Sequence, residues 1–151
     1  MEVEFFKGVR LSLGSPSDFE GLYSAGSKLK FVYVDLLDEY AFFWSSGSDM
    51  PFHNYMTDLI LEVISPCGFP LLAVRGDNER VPDIWLNDYI FEVETGLKHS
   101  LGALNSRLRK SRKFCYVVVP NSSVKRRYKG SLPSFRGRLL TLKELSLSFT
   151  C

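Results

Sequence analysis

Val81-Pro82-Asp83-Ile84-Trp85-Leu86-Asn87-Asp88-Tyr89-Ile90-Phe91-Glu92-Val93-Glu94-Thr95-Gly96-Leu97-Lys98 contains two short apolar runs, Ile84–Leu86 and Tyr89–Val93, on either side of Asn87-Asp88. A polar pair between β-prone runs predicts a hairpin with a two-residue turn. That register sets Leu86 against Tyr89, Trp85 against Ile90, Ile84 against Phe91 and Asp83 against Glu92. Side chains alternate along a strand, so Glu92 and Glu94 share a face, and Asp83 joins them from across the hairpin. Three carboxylates then meet on one patch. Like charges so close raise at least one pKa unless a cation lies among them, and a hard divalent ion, Mg²⁺ or Mn²⁺, suits oxygen donors. The plainer expectation is an edge hairpin with acids on its wet face.

Pro82-Asp83, a strand bearing Glu92-Val93-Glu94, then Thr95-Gly96 and a helix resembles the PD-(D/E)XK nuclease superfamily, most closely its archaeal Holliday-junction resolvase-like members. The resemblance covers about residues 55–120. It implies a restriction-endonuclease-like α/β fold, a mixed sheet flanked by helices, with residues 1–50 as a small β-rich extension and residues 51–151 as the nuclease-like domain. It also implies metal-dependent hydrolysis of DNA, with branched or structured DNA among the expected substrates, by a homodimer. The ion would be held by Asp83 and Glu92, with Glu94, Asp58 (second choice Glu62) or the carbonyl of Val93 completing the shell. The chain departs from the pattern at Glu94, where the family has Lys. Lys98, one turn downstream, is the substitute, and His99 is a weaker one. A nuclease fold kept only for binding, or an assembly protein, is the alternative.

Charge is divided sharply. Residues 1–94 carry 6 Lys and Arg against 16 Asp and Glu, a net of −10, while residues 95–151 carry 13 against the single acid Glu144, a net of +12. The asymmetry points to a polyanion met by the second half, nucleic acid first among them, and the resemblance implies DNA, with RNA the alternative. Arg75, Arg80, Arg107, Arg109, Lys110, Lys125, Arg126, Arg127 and Lys129 are the candidate phosphate contacts. A basic half docked on an acidic half is the competing account.

No run of eighteen apolar residues exists, so no membrane span is expected, and the first residues lack a signal-peptide layout. Cys67, Cys115 and Cys151 are an odd, scattered set that predicts reduced thiols in a cytoplasmic protein, with Cys115 as core filler. No arrangement for a covalent nucleophile stands out.

Outward from the hairpin, Val3–Leu13 reads as a strand. Ser17 and Glu20 form a capping-box pattern for a short helix, and Lys30–Leu37 with Tyr40–Ser45 reads as a second hairpin turning at Asp38-Glu39. Ser46–Pro51 looks like a boundary before a helix over Tyr55–Ile64, followed by a strand over Phe69–Val74. Leu97, Leu101, Leu104 and Leu108 form a helical stripe in Leu97–Arg112, with Thr95 as cap. Phe114–Val119 reads as a strand buried on both faces and parallel to its predecessor. A basic loop over Asn121–Gly137, with Tyr128 available for stacking, leads to a strand near Arg138–Leu140 and a helix capped by Thr141 and Glu144.

Overall fold

The computed structural model describes residues 2–6, 9–14, 29–44, 50–68, 71–74, 83–97 and 101–151. The chain is mixed α/β. Its elements are β1 (Glu2–Phe6), β2 (Val9–Gly14), β3 (Leu29–Val34), β4 (Glu39–Trp44), α1 (Met50–Ile64), a 3₁₀ turn (Ser65–Cys67), β5 (Leu71–Val74), β6 (Ile84–Leu86), β7 (Tyr89–Val93), α2 (Gly102–Lys110), β8 (Phe114–Val119), α3 (Ser122–Lys129), β9 (Gly137–Thr141) and α4 (Leu142–Ser148). An antiparallel sheet runs β1-β2-β4-β3, and a mixed five-stranded sheet runs β5-β6-β7-β8-β9.

Strand β7 is the middle of the larger sheet. Its hairpin with β6 has the expected register, Trp85 against Ile90 and Ile84 against Phe91. On its other side β7 lies parallel to β8, and β8 parallel to β9. Each parallel pair needs a crossover, and α2 and α3 supply them. Alternation along β7 and β8 separates two cores. Phe91, Val93 and Val118 pack with Phe52, Met56 and Ile60 of α1 and with Leu142 and Leu145 of α4. Ile90, Cys115, Val117 and Val119 pack under Leu104 and Leu108 of α2 and Val124 of α3. Burying one such side chain is worth about 2 kcal/mol, so the two clusters fix which face each β7 residue occupies.

The β3–β4 hairpin is tied to this unit. Val32, Val34 and Ala41 belong to the α1 core. The Asp35 amide donates to the Pro120 carbonyl at 3.0 Å, and Asn121 Nδ2 donates to the Tyr33 carbonyl at 2.8 Å. Asp35 Oδ1 accepts from the Lys143 amide at 2.9 Å.

Several sequence expectations shift. Val3–Leu13 is two strands paired Phe6 to Val9. The second hairpin turns over Asp35–Asp38, with Glu39 already opposite Val34, because Asp38 takes the left-handed conformation (φ 52°) that closes the turn. Helix α1 starts at Met50, with Pro51 in its first turn, where a proline lacks no needed hydrogen bond. Helix α2 starts at Gly102, and Leu97 packs on the α1 core instead of continuing the stripe. Thr95 accepts from the Leu97 amide at 3.2 Å, closing a turn and not a helix. The supposed basic loop contains α3, capped by Asn121 Oδ1 accepting from the Val124 amide. The cysteines need the clearest correction. Cys67 and Cys151 form a disulfide across 84 residues, with Cα atoms 4.9 Å apart. No spacing rule reveals a pair brought together only by the packing of α1 and α4. Cys115 is free and buried, as expected of core filler. The Thr141–Glu144 capping box forms as read. The Ser17–Glu20 helix lies outside the described residues. Among those described, no helix is long and apolar enough to cross a membrane.

Candidate functional site

Asp83, Glu92 and Glu94 do converge, and all three are buried, at 2%, 0% and 3% exposure. Glu92 points toward α2 because Phe91 and Val93 are committed to the opposite core, and Val117 of β8 lies beside it in register. Beyond β7, the Glu94 amide donates to the Val118 carbonyl at 2.9 Å, which carries the ladder one step further. Asp83 closes the end of the hairpin, its Oδ2 accepting from the Val93 amide at 2.7 Å.

Each carboxylate has a partner from a different helix. Arg107 of α2 donates from Nε to both Glu92 oxygens (3.1 and 2.9 Å) and from Nη2 to Oε2 (2.6 Å). His53 Nε2 of α1 approaches Asp83 Oδ1 to 3.0 Å. Tyr128 of α3 donates its hydroxyl to Glu94 Oε1 at 3.4 Å. Gly96 follows with φ +82°, and a Cβ there would meet Val124 at 2.8 Å, so only glycine lets α3 come this close. Arg127 Nη1 donates to the Gly96 carbonyl at 3.2 Å.

Burial, the largest influence on Glu92, outweighs the Arg107 hydrogen bonds, and with the charges of Asp83 and Glu94 it pushes the carboxyl from 4.5 up to about 7. At Arg107 burial acts downward, but the bonds and charges of Glu92, with Asp83 and Glu94, leave the pKa raised. The Tyr128 phenol is held well above its ordinary range by burial and by Glu94. A consequence is measurable. Between the unfolded and folded pKa of Glu92 the native state holds a proton that the unfolded chain has released. This contribution to stability is therefore complete at low pH and is lost as pH rises through about 7, a change of up to about 3 kcal/mol. Urea unfolding across this pH range should show it as a difference between wild type and Glu92→Gln. A difference that is flat with pH would refute the assignment.

The other predicted residues are dispersed. Asp58 is half-buried on α1, and the α1 side chain beside Asp83 is His53, five residues earlier; Glu62 is exposed. Lys125 is held by Glu144, its Nζ 2.9 Å from both oxygens. Arg109, Lys110, Arg126, Arg127 and Lys129 are exposed on α2 and α3. Lys98, Arg75, Arg80, Pro82 and His99 lie outside the described residues. Arg107, expected at phosphate, faces inward: it is one turn from Leu104 and next to Leu108, so the face that packs on β8 carries it to Glu92. His53 and Tyr128 were not foreseen as members. The signal for Tyr128 is its place four residues after Val124, on one helical face.

A divalent ion needs carboxylate oxygens free to converge on it. Here both Glu92 oxygens are in the guanidinium fork, Asp83 Oδ2 accepts from the Val93 amide, and His53 Nε2 lies 3.0 Å from Asp83 Oδ1. Among the described residues no group of three or more His, Cys, Asp or Glu is disposed to hold an ion. As arranged, these side chains do not fit Mg²⁺ or Mn²⁺. No protein-family model, curated protein or solved structure matches the chain.

Proposed function

We propose that this protein binds nucleic acid, DNA in the first instance, through the helical layer of α2 and α3 on a nuclease-like α/β scaffold whose carboxylate centre is closed by its own side chains. The observation that carries this reading is the cationic surface of that layer. Helices α2 and α3 contain no acidic residue, both cover the same face of the sheet, and both leave cations exposed, Arg109 and Lys110 on one and Arg126, Arg127 and Lys129 on the other. With few acids nearby, such a surface gains most from a polyanion and its released counterions. The inward Arg107 supports the non-catalytic half of the reading, since it supplies the charge that three buried carboxylates need.

A second reading is a metal-dependent endonuclease of the restriction-endonuclease-like type. It is favoured by the meeting of Asp83, Glu92 and Glu94 at one buried place, beside the Arg107 guanidinium. One experiment separates the two. Labelled duplex, single-stranded and junction DNA, with RNA counterparts, are titrated by fluorescence anisotropy across salt, and the same substrates are assayed for cutting with millimolar Mg²⁺ or Mn²⁺. Binding is expected, with a salt slope that falls by roughly 0.9 for each phosphate-contacting cation among Arg109, Lys110, Arg126 and Lys129 changed to Gln. Binding without cutting supports the module. Metal-dependent cutting abolished by Glu92→Gln would overturn the closed centre and establish the enzyme. Unchanged binding in the quadruple variant would refute both.

A further inference from the structure

At the far end of β7 from the carboxylates the sheet carries a second candidate site. Glu94 and Tyr89 are five residues apart, roughly 17 Å along a strand. In the registers of β7, β8 and β9, residues directly opposite share a face, so Tyr89 sits with Phe114, Phe91 with Tyr116 and Tyr116 with Arg138. The next row, Val93, Val118 and Leu140, is sealed beneath α1 and α4. Toward the start of the strands the same face changes character. Tyr89, Phe114 and Tyr116 are only half-buried there, and with Asp88 and Arg136 they line a cleft of about 450 Å³.

The rings form a connected set. Phe114 and Tyr116 have centroids 5.0 Å apart, Tyr89 and Tyr116 5.7 Å, and Phe149 closes the inner side at 5.3 Å from Tyr116. Beside the rings stand cations. Arg136 Nη1 reaches the Arg112 carbonyl at 3.5 Å, which places the approach to β9 against the α2–β8 connection, and Arg138 is the neighbour of Tyr116 on β9. Arg112, Arg136 and Arg138 are all exposed.

We propose that this cleft is a stacking shelf for an unpaired base of single-stranded nucleic acid. The inference rests on the nucleic-acid reading above and names the substrate form. A planar heteroaromatic ring matches the aromatic floor, because every base has a π-face to stack. Asp88, on the β6–β7 turn, accepts from an exocyclic amino group of the base. The guanidinium groups meet backbone phosphates. A strand is favoured over a free nucleotide because Arg136 and Arg138 stand at successive positions along the edge of the shelf, where a strand presents one phosphate per nucleotide. A nucleoside monophosphate has a single phosphate group to share between the two. A duplex keeps its bases stacked on one another and offers none to the shelf.

The test uses the whole chain and a short single strand carrying 2-aminopurine, whose fluorescence falls when the base stacks. Wild type should quench the probe and bind the strand. Phe114→Leu, which keeps an apolar side chain but removes the ring, should lose the quenching and weaken single-strand binding about tenfold or more, with duplex affinity unchanged. Arg136→Ala, which leaves the rings intact, should weaken the strand and retain quenching at saturation. Quenching undiminished in Phe114→Leu, or duplex affinity falling in step, overturns the shelf. A nucleoside monophosphate binding as tightly as the strand overturns the strand in favour of a free nucleotide. Duplex binding by wild type with no quenching defeats the shelf alone; binding to no nucleic acid defeats the underlying function as well.

Discussion

Arg107→Ala should destabilise the protein by about 3–5 kcal/mol above about pH 8, where Glu92 is ionised, because it leaves a fully buried carboxylate without its cation. The Glu92 side chain is 0% exposed and that of Arg107 only 10%. Water therefore has little access with which to replace the guanidinium, and Asp83 and Glu94 add repulsion. The loss should shrink as pH falls through about 7, where Glu92 takes up a proton and no charge is left to compensate. The double variant Arg107→Met, Glu92→Leu should recover most of the loss, since a buried ion pair replaced by apolar side chains of similar volume is commonly neutral or better. Urea unfolding of the two variants at mildly alkaline and mildly acid pH gives all three comparisons. A single-variant loss below about 1 kcal/mol, the size of an exposed pair, would mean that the centre hydrates freely.

Breaking Cys67–Cys151 should cost nearly as much. The bond closes 84 residues, a loop whose release in the unfolded chain is worth about 4 kcal/mol in the chain-entropy account, with 2–4 kcal/mol typical of measured cases. It joins the turn after α1 to the residues after α4, two helices that already pack on one face of the sheet, so the folded state should change little on reduction. Cys151→Ser should match reduced wild type in stability and lose all response to reductant. If wild type with and without reductant unfolds at the same urea concentration, the bond is absent in solution. Cys115 will not confuse the assay: it is buried, and burial holds its thiol far above the range in which a thiolate forms.

What the sequence disclosed was local. The β6–β7 register follows from a two-residue turn and alternation, and the Thr141–Glu144 box from four consecutive residues. The meeting of Asp83, Glu92 and Glu94 needed nothing beyond the hairpin. The partners of those carboxylates were hidden because each arrives from a separate helix, His53 from thirty residues before Asp83 and Tyr128 from thirty-four after Glu94. Composition misled in one respect. Charge alone groups Arg107 with Arg109 and Lys110 as phosphate contacts, yet a helix turns its residues through successive directions, and of the three it is Arg107 that faces the sheet. A helix over Ser122–Lys129 was concealed by its density of charge, although Val124 and Tyr128 supply its buried stripe.

The order of the larger sheet also sets when its parts can form. Strands β5, β6 and β7 join neighbours in sequence, whereas the pairings of β7 with β8 and β8 with β9 each wait on a helical crossover. Closing the longer loop costs more chain entropy before any contact repays it, so the antiparallel half leads and the parallel half follows. Glu92 therefore stands on a formed hairpin, still hydrated, until α2 docks. The step that removes it from water is the same step that delivers Arg107, and folding never has to strand the carboxylate in a dry core without its counter-charge.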